Sequence, residues 1–479
     1  MRSSGDDAAF PRDVPRASGR PGARAGAAKP LTLAAMSLGY AVVQLDVTIV
    51  NTALSSIGRS LHGGVSELQW VVTAYTLAFA SLILTAGALG DRFGAKRSFM
   101  AGFAIFTGAS LACALAASAT GLIVARAVQG AGAATLVPNS LALLNHAYPD
   151  ARQRGRAVGI WAAGASLALT AGPLIGGGLI VGVGWPSIFL INVPIGLAGL
   201  GLTWRWVAET AASPRRALDL PGQVAAIGAL GCLAGAIIEG GAVGWGNPGV
   251  LAGLGGAAAL GALFLFQERR SGQPMLPLAL FENRLFGLMS LIGVLVNVPF
   301  YGLMFVLSLY FQRIDGFSPV ATGLAFLPMM GAVFVANLSA ARLARRVGSL
   351  AAIAAGAAII AAGCLALLGI ARGTSYWAMG VQLVGLGAGL GLLVPPLTSA
   401  LLGSVDKARS GVAAGVLNSA RQAGSVLGVA LFGSFVGRTG GFIAGFRDAL
   451  VFSAVLLAGA ALLTLRAQAG RAGGAGREP

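Results

Sequence analysis

Polar positions in this chain gather into short clusters, and the stretches between them are almost wholly apolar. The apolar runs cover residues 31–57, 68–89, 98–117, 121–144, 155–181, 185–204, 220–240, 248–266, 285–311, 319–341, 349–369, 375–401, 410–436 and 446–465. A run of about 20 residues is what a helix needs to cross a hydrocarbon core ~30 Å thick. Strands crossing the same core would alternate apolar and polar positions over about ten residues, and the runs show no such alternation. The pattern predicts an all-α membrane protein with 14 transmembrane helices.

Composition agrees. The 479 residues are 56% hydrophobic and 10% charged, with a mean hydropathy of +0.80. A soluble chain carries about 25% charged residues. A net charge of +17 would suit a nucleic-acid partner if it were clustered. Here the basic residues fall in short loops between apolar runs, so the lipid bilayer is the expected partner and nucleic acid is not. With the N-terminus inside, 26 Lys and Arg lie in cytoplasmic segments and five (Arg59, Arg313, Arg372, Arg438 and Arg447) lie outside. That bias places both termini in the cytoplasm, because one missed helix would invert every later loop. Residues 1–30 are rich in Arg, Gly, Ala and Pro without an apolar core. They are expected to form a disordered cytoplasmic tail rather than a signal peptide, and 466–479 read the same way.

The chain also repeats itself. Gly87-Ala-Leu89-Gly90-Asp91-Arg92-Phe-Gly94 after the second run returns as Ala341-Arg-Leu343-Ala344-Arg345-Arg346-Val-Gly348 after the tenth, at an offset of 254. Gly130, Gly132 and Pro138 return as Gly387, Gly389 and Pro395 at 257, and Asp150, Gly155 and Gly159 as Asp406, Gly411 and Gly415 at 256. Offsets that agree this closely indicate a duplicated six-helix unit. The expected organisation is a bundle over 31–206, a linker with two inserted helices over 207–284, and a second bundle over 285–465. Two parallel repeats related by an axis along the membrane normal are a transporter arrangement.

Charges inside the runs carry the candidate chemistry. Gln44-Leu-Asp46-Val-Thr48-Ile-Val-Asn51 lies in the first run. An ionised Asp at a helix centre costs about 2.5–3.5 kcal/mol, so Asp46 needs a partner or a proton. Gln44, Thr48, Asn51 and Ser55 share one helix face, while Asp46 points roughly 200° from Gln44. The two sets serve different surfaces, and either can line a cavity. Arg126-Ala-Val-Gln129-Gly130-Ala-Gly132 lies in the fourth run. Asp46 and Arg126 both fall about 8 Å below the outer edge of the core, so a pair between them is open, as is Arg126 reaching to the interface. In the fifth run, Gly164, Gly172, Pro173, Gly176, Gly177 and Gly178 permit close helix packing and a proline kink. In the thirteenth, Asn418-Ser-Ala-Arg421-Gln422-Ala-Gly424 puts Arg421 near the midplane. It should face the interior and meet a carboxylate, carbonyls or a substrate anion. Gln44, Thr48, Asn51, Gln129, Asn418, Arg421 and Gln422 are the cavity candidates.

Between the second and third runs, Gly87-x-Leu89-Gly90-Asp91-Arg92-x-Gly94-x-Lys96-Arg97 combines turn glycines with charges that can pair in one state and be solvated in another. Cys113, Cys232 and Cys364 sit far apart inside apolar runs and give neither a disulfide nor a metal framework. No Walker loop, metal-ligand cluster or hydrolase arrangement occurs. Neither a cofactor, a metal nor enzyme activity is expected.

On these motifs, from about Leu31 to Leu465, the chain resembles the fourteen-helix drug:proton antiporters of the major facilitator superfamily. Trp185 and Asn192-Val-Pro194 also match that family, although Pro186-Ser187 replaces its usual Arg-Trp. The resemblance implies two bundles that rock about a central cavity in a bacterial inner membrane, and a monomer. It further implies proton coupling at Asp46 with Arg126, and a conformational latch at Gly87, Asp91, Arg92, Gly94, Lys96 and Arg97. The fifth-run pattern (Gly164, Gly172, Pro173, Gly176, Gly177) would mark antiport. The expected function is proton-driven export of a small apolar or cationic compound. Two alternatives stay open: a carrier for one specific metabolite or self-made natural product, and a non-transporting receptor.

Overall fold

A computed structural model describes residues 21–211, 219–272, 274–370, 375–406, 409–437 and 441–475. The described chain is helical almost throughout: α1 Pro21–Ser60, α2 Val65–Phe93, α3 Ala95–Ala114, α4 Ala119–Ala147 and α5 Ala151–Val183. Next come α6 Ser187–Trp206 (stepped at Ile191), α7 Leu220–Val243 and α8 Pro248–Arg270, then α9 Arg284–Ile314 with a wide last turn. The chain closes with α10 Pro319–Val347, α11 Ser349–Gly369, α12 Tyr376–Leu402, α13 Ser410–Val436 and α14 Phe442–Ala475.

Polar clusters between the apolar runs set the helix ends. Ser118, Asp150, Asp219, Asn247, Asn283 and Ser318 each accept a hydrogen bond from a backbone N–H of the turn they precede, which satisfies an otherwise orphaned donor. Gly94 (φ +97°) and Gly348 (φ +88°) end α2 and α10. Each is the only residue between two helices, in a backbone region that L side chains rarely adopt. The sequence repeat therefore carries the same backbone turn into both halves.

Thirteen of these helices have the length and apolarity of a membrane crossing. The remaining one, α13, is 27 residues long and falls short on apolarity because Asn418, Arg421 and Gln422 lie in it. It spans all the same, since those side chains turn toward other helices and not lipid. Residues 21–30, expected in the leading tail, belong to α1, and 466–475 extend α14. The apolar run underestimates both helices because a helix continues past the hydrocarbon as long as nothing stops it. Residues 1–20 and 476–479 of the expected tails lie outside the described residues.

Packing repeats as the sequence does. α1 lies on α5, α2 on α4 and α3 on α4; α9 lies on α13, α10 on α12 and α11 on α12. The two sets meet along two seams, α5 with α10 and α2 with α13. Helices α7 and α8 pair with each other, and α7 leans on α2 and α13, alongside one seam. Only 6% of the most apolar stretch of α8 is buried; its outward face is left for lipid.

With an even number of crossings, both ends of the described chain emerge on one face, and the halves meet most tightly toward the other. Toward the far face they are tight. Cβ atoms at Gly177 and Gly323 would collide with backbone of the partner helix, at Pro319–Val320 and Pro173–Leu174. Ser308 Oγ donates to the Asn51 carbonyl at 2.5 Å. Gln69 Nε2 donates to the Val429 and Ala430 carbonyls at 3.1 and 2.7 Å. Toward the face with the chain ends lies a cavity of about 750 Å³ beside the α2–α13 seam, lined among others by Asp91, Asn139, Asn145, Trp161, Asp219 and Asn418.

Candidate functional site

Three arrangements carry polar chemistry within the bundle. The most enclosed lies inside the first half, between α1, α3, α4 and α6. Asp46 and Arg126 are 0% and 1% exposed, and Arg126 Nη1 donates to Asp46 Oδ2 at 2.5 Å. Of the two arrangements that equal depths left open, the pair is present, and Arg126 does not reach the interface. A bare ion pair in so apolar a setting would not repay its desolvation, and this one is not bare. Gln129 Nε2 and Asn192 Nδ2 donate to Asp46 Oδ1 at 2.8 and 3.1 Å. Arg126 Nη1 also donates to Gln129 Oε1 at 2.7 Å, and its Nε donates to the Val71 carbonyl at 3.1 Å. The guanidinium carbon lies 4.2 Å from the Tyr75 ring centroid and 5.6 Å from that of Phe189, within reach of cation–π attraction. Ser110 Oγ accepts from Gln129 at 2.8 Å. The carboxylate thus takes three donors, and proton binding there would disturb four helices at once.

Sequence spacing located Asp46 and Arg126 but missed Ser110, Tyr75 and the role of Asn192. Asn192 lies in a stretch matching the resembled family, which is the one signal that marked it. Gln129 was expected along the cavity, and the structure corrects this. Three residues beyond Arg126 on the same helical face, it turns inward with the arginine and is 0% exposed.

The opposite face of α1 meets α5. Thr48 Oγ1 donates to the Leu169 carbonyl at 3.1 Å. That acceptor is free for a local reason: Pro173, four residues on, has no N–H to give it. A Cβ at Gly172 would collide with Thr48, and one at Gly176 would come within 2.5 Å of Thr52 Oγ1. Gly177 faces α10 of the other half, while Gly164 meets nothing within 4 Å and takes no part in this packing. Thr48 and Asn51 are therefore buried between helices and do not line the cavity as expected; Gln44 is half-buried. Asp46 and the Thr48 stripe do serve different surfaces, as helical spacing predicts.

The second arrangement is the α2–α3 turn. Gly94 N–H donates to the Gly90 carbonyl at 2.9 Å, and α3 begins at the next residue. Its first amides are held from outside the motif: Lys96 and Arg97 N–H donate to the Glu209 carboxylate at 2.8 and 3.1 Å, and Ala95 N–H to Thr210 Oγ1 at 2.9 Å. Arg97 Nε lies 3.8 Å from the same carboxylate, and Lys96 Nζ donates to the Trp204 carbonyl at 3.1 Å. A carboxylate at a helix N-terminus meets both orphan donors and the positive end of the dipole. Glu209 and Thr210, just past α6, were not singled out from sequence. Arg92 stacks over Phe93, 5.3 Å from its centroid. Asp91 and Gly87 line the cavity mouth.

The third arrangement stands at the seam. Asn418 lines the cavity, as expected. One turn deeper on α13 are Arg421, half-buried, and Gln422, 8% exposed; neither Arg421 Nε nor Gln422 Oε1 has a partner among the described residues. Trp161 of α5 lines the same cavity as Asn418, and Tyr40 of α1 stacks on it, with centroids 4.2 Å apart and planes at 18°.

Two bundles, a cavity open to one face and a charged pair sealed in one bundle are the parts of a carrier that works by rocking. Comparison with known proteins agrees. The sequence profile of the Major Facilitator Superfamily matches residues 36–429. Among relatives, the Methylenomycin A resistance protein of Streptomyces coelicolor is 39% identical over 86% of each chain. The Multidrug resistance protein Stp of Mycobacterium tuberculosis is 39% identical over 84% of this chain and 75% of its own. In structure, the human organic anion transporter MFSD10 superposes with a TM-score of 0.63 over 91% of this chain and 99% of that one, at 17% identity, a likeness of fold alone. The chain belongs to the Major Facilitator Superfamily and is a membrane transporter, not an enzyme, within that superfamily's drug-efflux family.

Proposed function

We propose that this transporter exports small organic compounds from a bacterial cell in exchange for protons, as a monomer in the inner membrane with both termini in the cytoplasm. The excess of Lys and Arg on the face that carries the chain ends supports that orientation. The cavity then opens to the cytoplasm.

The buried Asp46–Arg126 pair carries the coupling reading. In the inward-open arrangement the carboxylate is fully bonded. A proton arriving from outside would neutralise it, leave the Arg126 charge without its counter-ion and weaken the donors from Gln129 and Asn192. Leaving one member of a buried pair uncompensated costs about 3–5 kcal/mol. That cost favours any rearrangement in which the cluster reorganises. α1 carries it to the second half, since it packs on α5, which borders one seam, and its Asn51 carbonyl holds Ser308 of α9. One proton crossing 100 mV and one pH unit releases about 3.7 kcal/mol, enough to hold a neutral compound at a gradient of roughly 500-fold.

The α2–α3 turn, with Gly87, Asp91, Arg92, Gly94, Lys96 and Arg97, serves as the latch. Its charges stand at the cytoplasmic mouth, where the halves must meet when the cavity closes.

The test is uptake of a drug into inside-out vesicles with an acid interior, wild type beside Asp46→Asn. Wild type should accumulate the drug against its gradient, and the variant should fall about tenfold or more, toward passive equilibration. An Asn variant that responds to the gradient as wild type does would remove Asp46 from coupling.

A further inference from the structure

Of the charged side chains set deep in the two bundles, Asp46 and Arg126 answer each other, while Arg421, half-buried, is left over. It takes part in neither ion pair found among the described residues, and it makes no hydrogen bond there. A guanidinium held inside a membrane without a counter-charge is expensive. Its stem packs on α9 at Gly293, where a Cβ would lie 3.5 Å from Arg421 Cγ.

Its surroundings offer donors and few acceptors. The hydroxyls of Tyr40 on α1 and Tyr301 on α9 lie within electrostatic reach of the guanidinium. Neither hydroxyl has a hydrogen-bond partner among the described residues. Tyr301 reaches across from the second half and packs with Tyr40 and Trp161 against the core of the first. Four helices, two from each half, thus bring one cation and two phenol donors beside an aromatic wall, one turn beyond Asn418 of the cavity. The carboxylates that line the cavity, Asp91 and Asp219, both stand at its mouth: Asp91 near the end of α2 and Asp219 capping α7. A cationic cargo would find no counter-charge at the inner end, and an acidic one would.

We propose that Arg421, Tyr40 and Tyr301 form an anion-accepting subsite at the inner end of the cavity, so that the exported compound is an organic acid. Its carboxylate, or a comparable acidic group, meets the guanidinium while its apolar body lies against Tyr40 and Trp161. The proposal rests on the export reading above and narrows the expected apolar or cationic cargo to an anionic one. A negative-inside membrane potential also drives such a cargo outward.

The experiment measures binding without a gradient, so that a failure of proton coupling leaves it untouched. Purified full-length protein is tested by equilibrium dialysis against three probes of one shape: 2-naphthoate, 2-naphthalenemethanol and 2-naphthylmethylammonium. Wild type should bind the carboxylate about tenfold or more tightly than either of the others, as a charge-assisted hydrogen bond allows. Arg421→Gln should erase that preference and Arg421→Lys keep part of it. If the Gln variant does not fold, the Tyr40→Phe/Tyr301→Phe double variant takes its place and should weaken naphthoate binding severalfold. A wild type without the preference, a preference that survives Arg421→Gln, or a double variant with unchanged naphthoate affinity would each overturn the proposal.

Discussion

At the scale of single residues, the Asp46 cluster has a structural part and a coupling part, and substitution can separate them. Arg126→Leu leaves the Asp46 carboxylate buried with only Gln129 and Asn192 as donors. The loss should be about 3–5 kcal/mol of stability, read as a lower melting temperature of the purified protein. Removing both charges in Asp46→Leu/Arg126→Leu should recover most of that loss, because well-packed apolar residues replace a buried pair at little net cost. The double variant should fold and still fail to use a pH gradient. A double variant as unstable as Arg126→Leu would show that the amides and not the charges dominate the cluster. Sequence spacing was enough to put the two charges at one depth, since depth in the membrane follows from counting residues along each helix, but not to choose between a pair and an arginine that reaches to the interface. It was not enough for Ser110 and Tyr75, which are ordinary residue types on other helices.

At the scale of elements, the two pseudo-equivalent turns differ in an informative way. Gly94 and Gly348 have the same positive φ, so an alanine at either strains the backbone by about 1–2 kcal/mol. A Cβ at Gly94 would also come within 2.6 Å of the Glu209 carboxyl, whereas one at Gly348 meets nothing within 4 Å. Gly94→Ala should therefore disturb the cap on α3 and reduce both thermal stability and transport more than Gly348→Ala does. Equal effects would mean that Glu209 is an incidental contact. The glycines and charges of the α2–α3 turn were legible because their spacing is local. Glu209 was not, because its partners are more than a hundred positions away and only the return of α6 brings it there.

At the scale of the whole molecule, the halves close on each other at the far face and leave a cavity toward the face with the chain ends, as one position of a rocking motion would. The register of the repeat persists at the seal. Gln69 on α2 donates to the Val429 carbonyl on α13, and at the equivalent place on the other seam Gly323 of α10 packs on the Pro173 carbonyl of α5. One seam closes by a side-chain hydrogen bond and the other by backbone contact. In a background without Cys113, Cys232 and Cys364, Asn418→Cys should react with a membrane-impermeant maleimide applied from the cytoplasmic side. Acidifying the opposite side should lower that rate severalfold as the population shifts to the outward-open state. A labelling rate indifferent to the gradient would argue against coupling between Asp46 and the cavity.

The sequence by itself determined the number of the crossings, the duplication, the turn glycines and the two charges set within α1 and α4. Each of these rests on composition or spacing along one segment, and a bilayer makes such signals strong by forbidding unpaired backbone within it. Tertiary structure alone decided which face of each helix meets which neighbour. It turned Gln129 away from the cavity and into the Asp46 cluster, placed Thr48 on the carbonyl that Pro173 frees, and left Arg421 without an ion pair among the described residues. A helix in an apolar medium has little hydrophobic reason to prefer one rotation over another. Its orientation is settled by contacts with helices far away in the chain, and those appear only when the bundle is assembled.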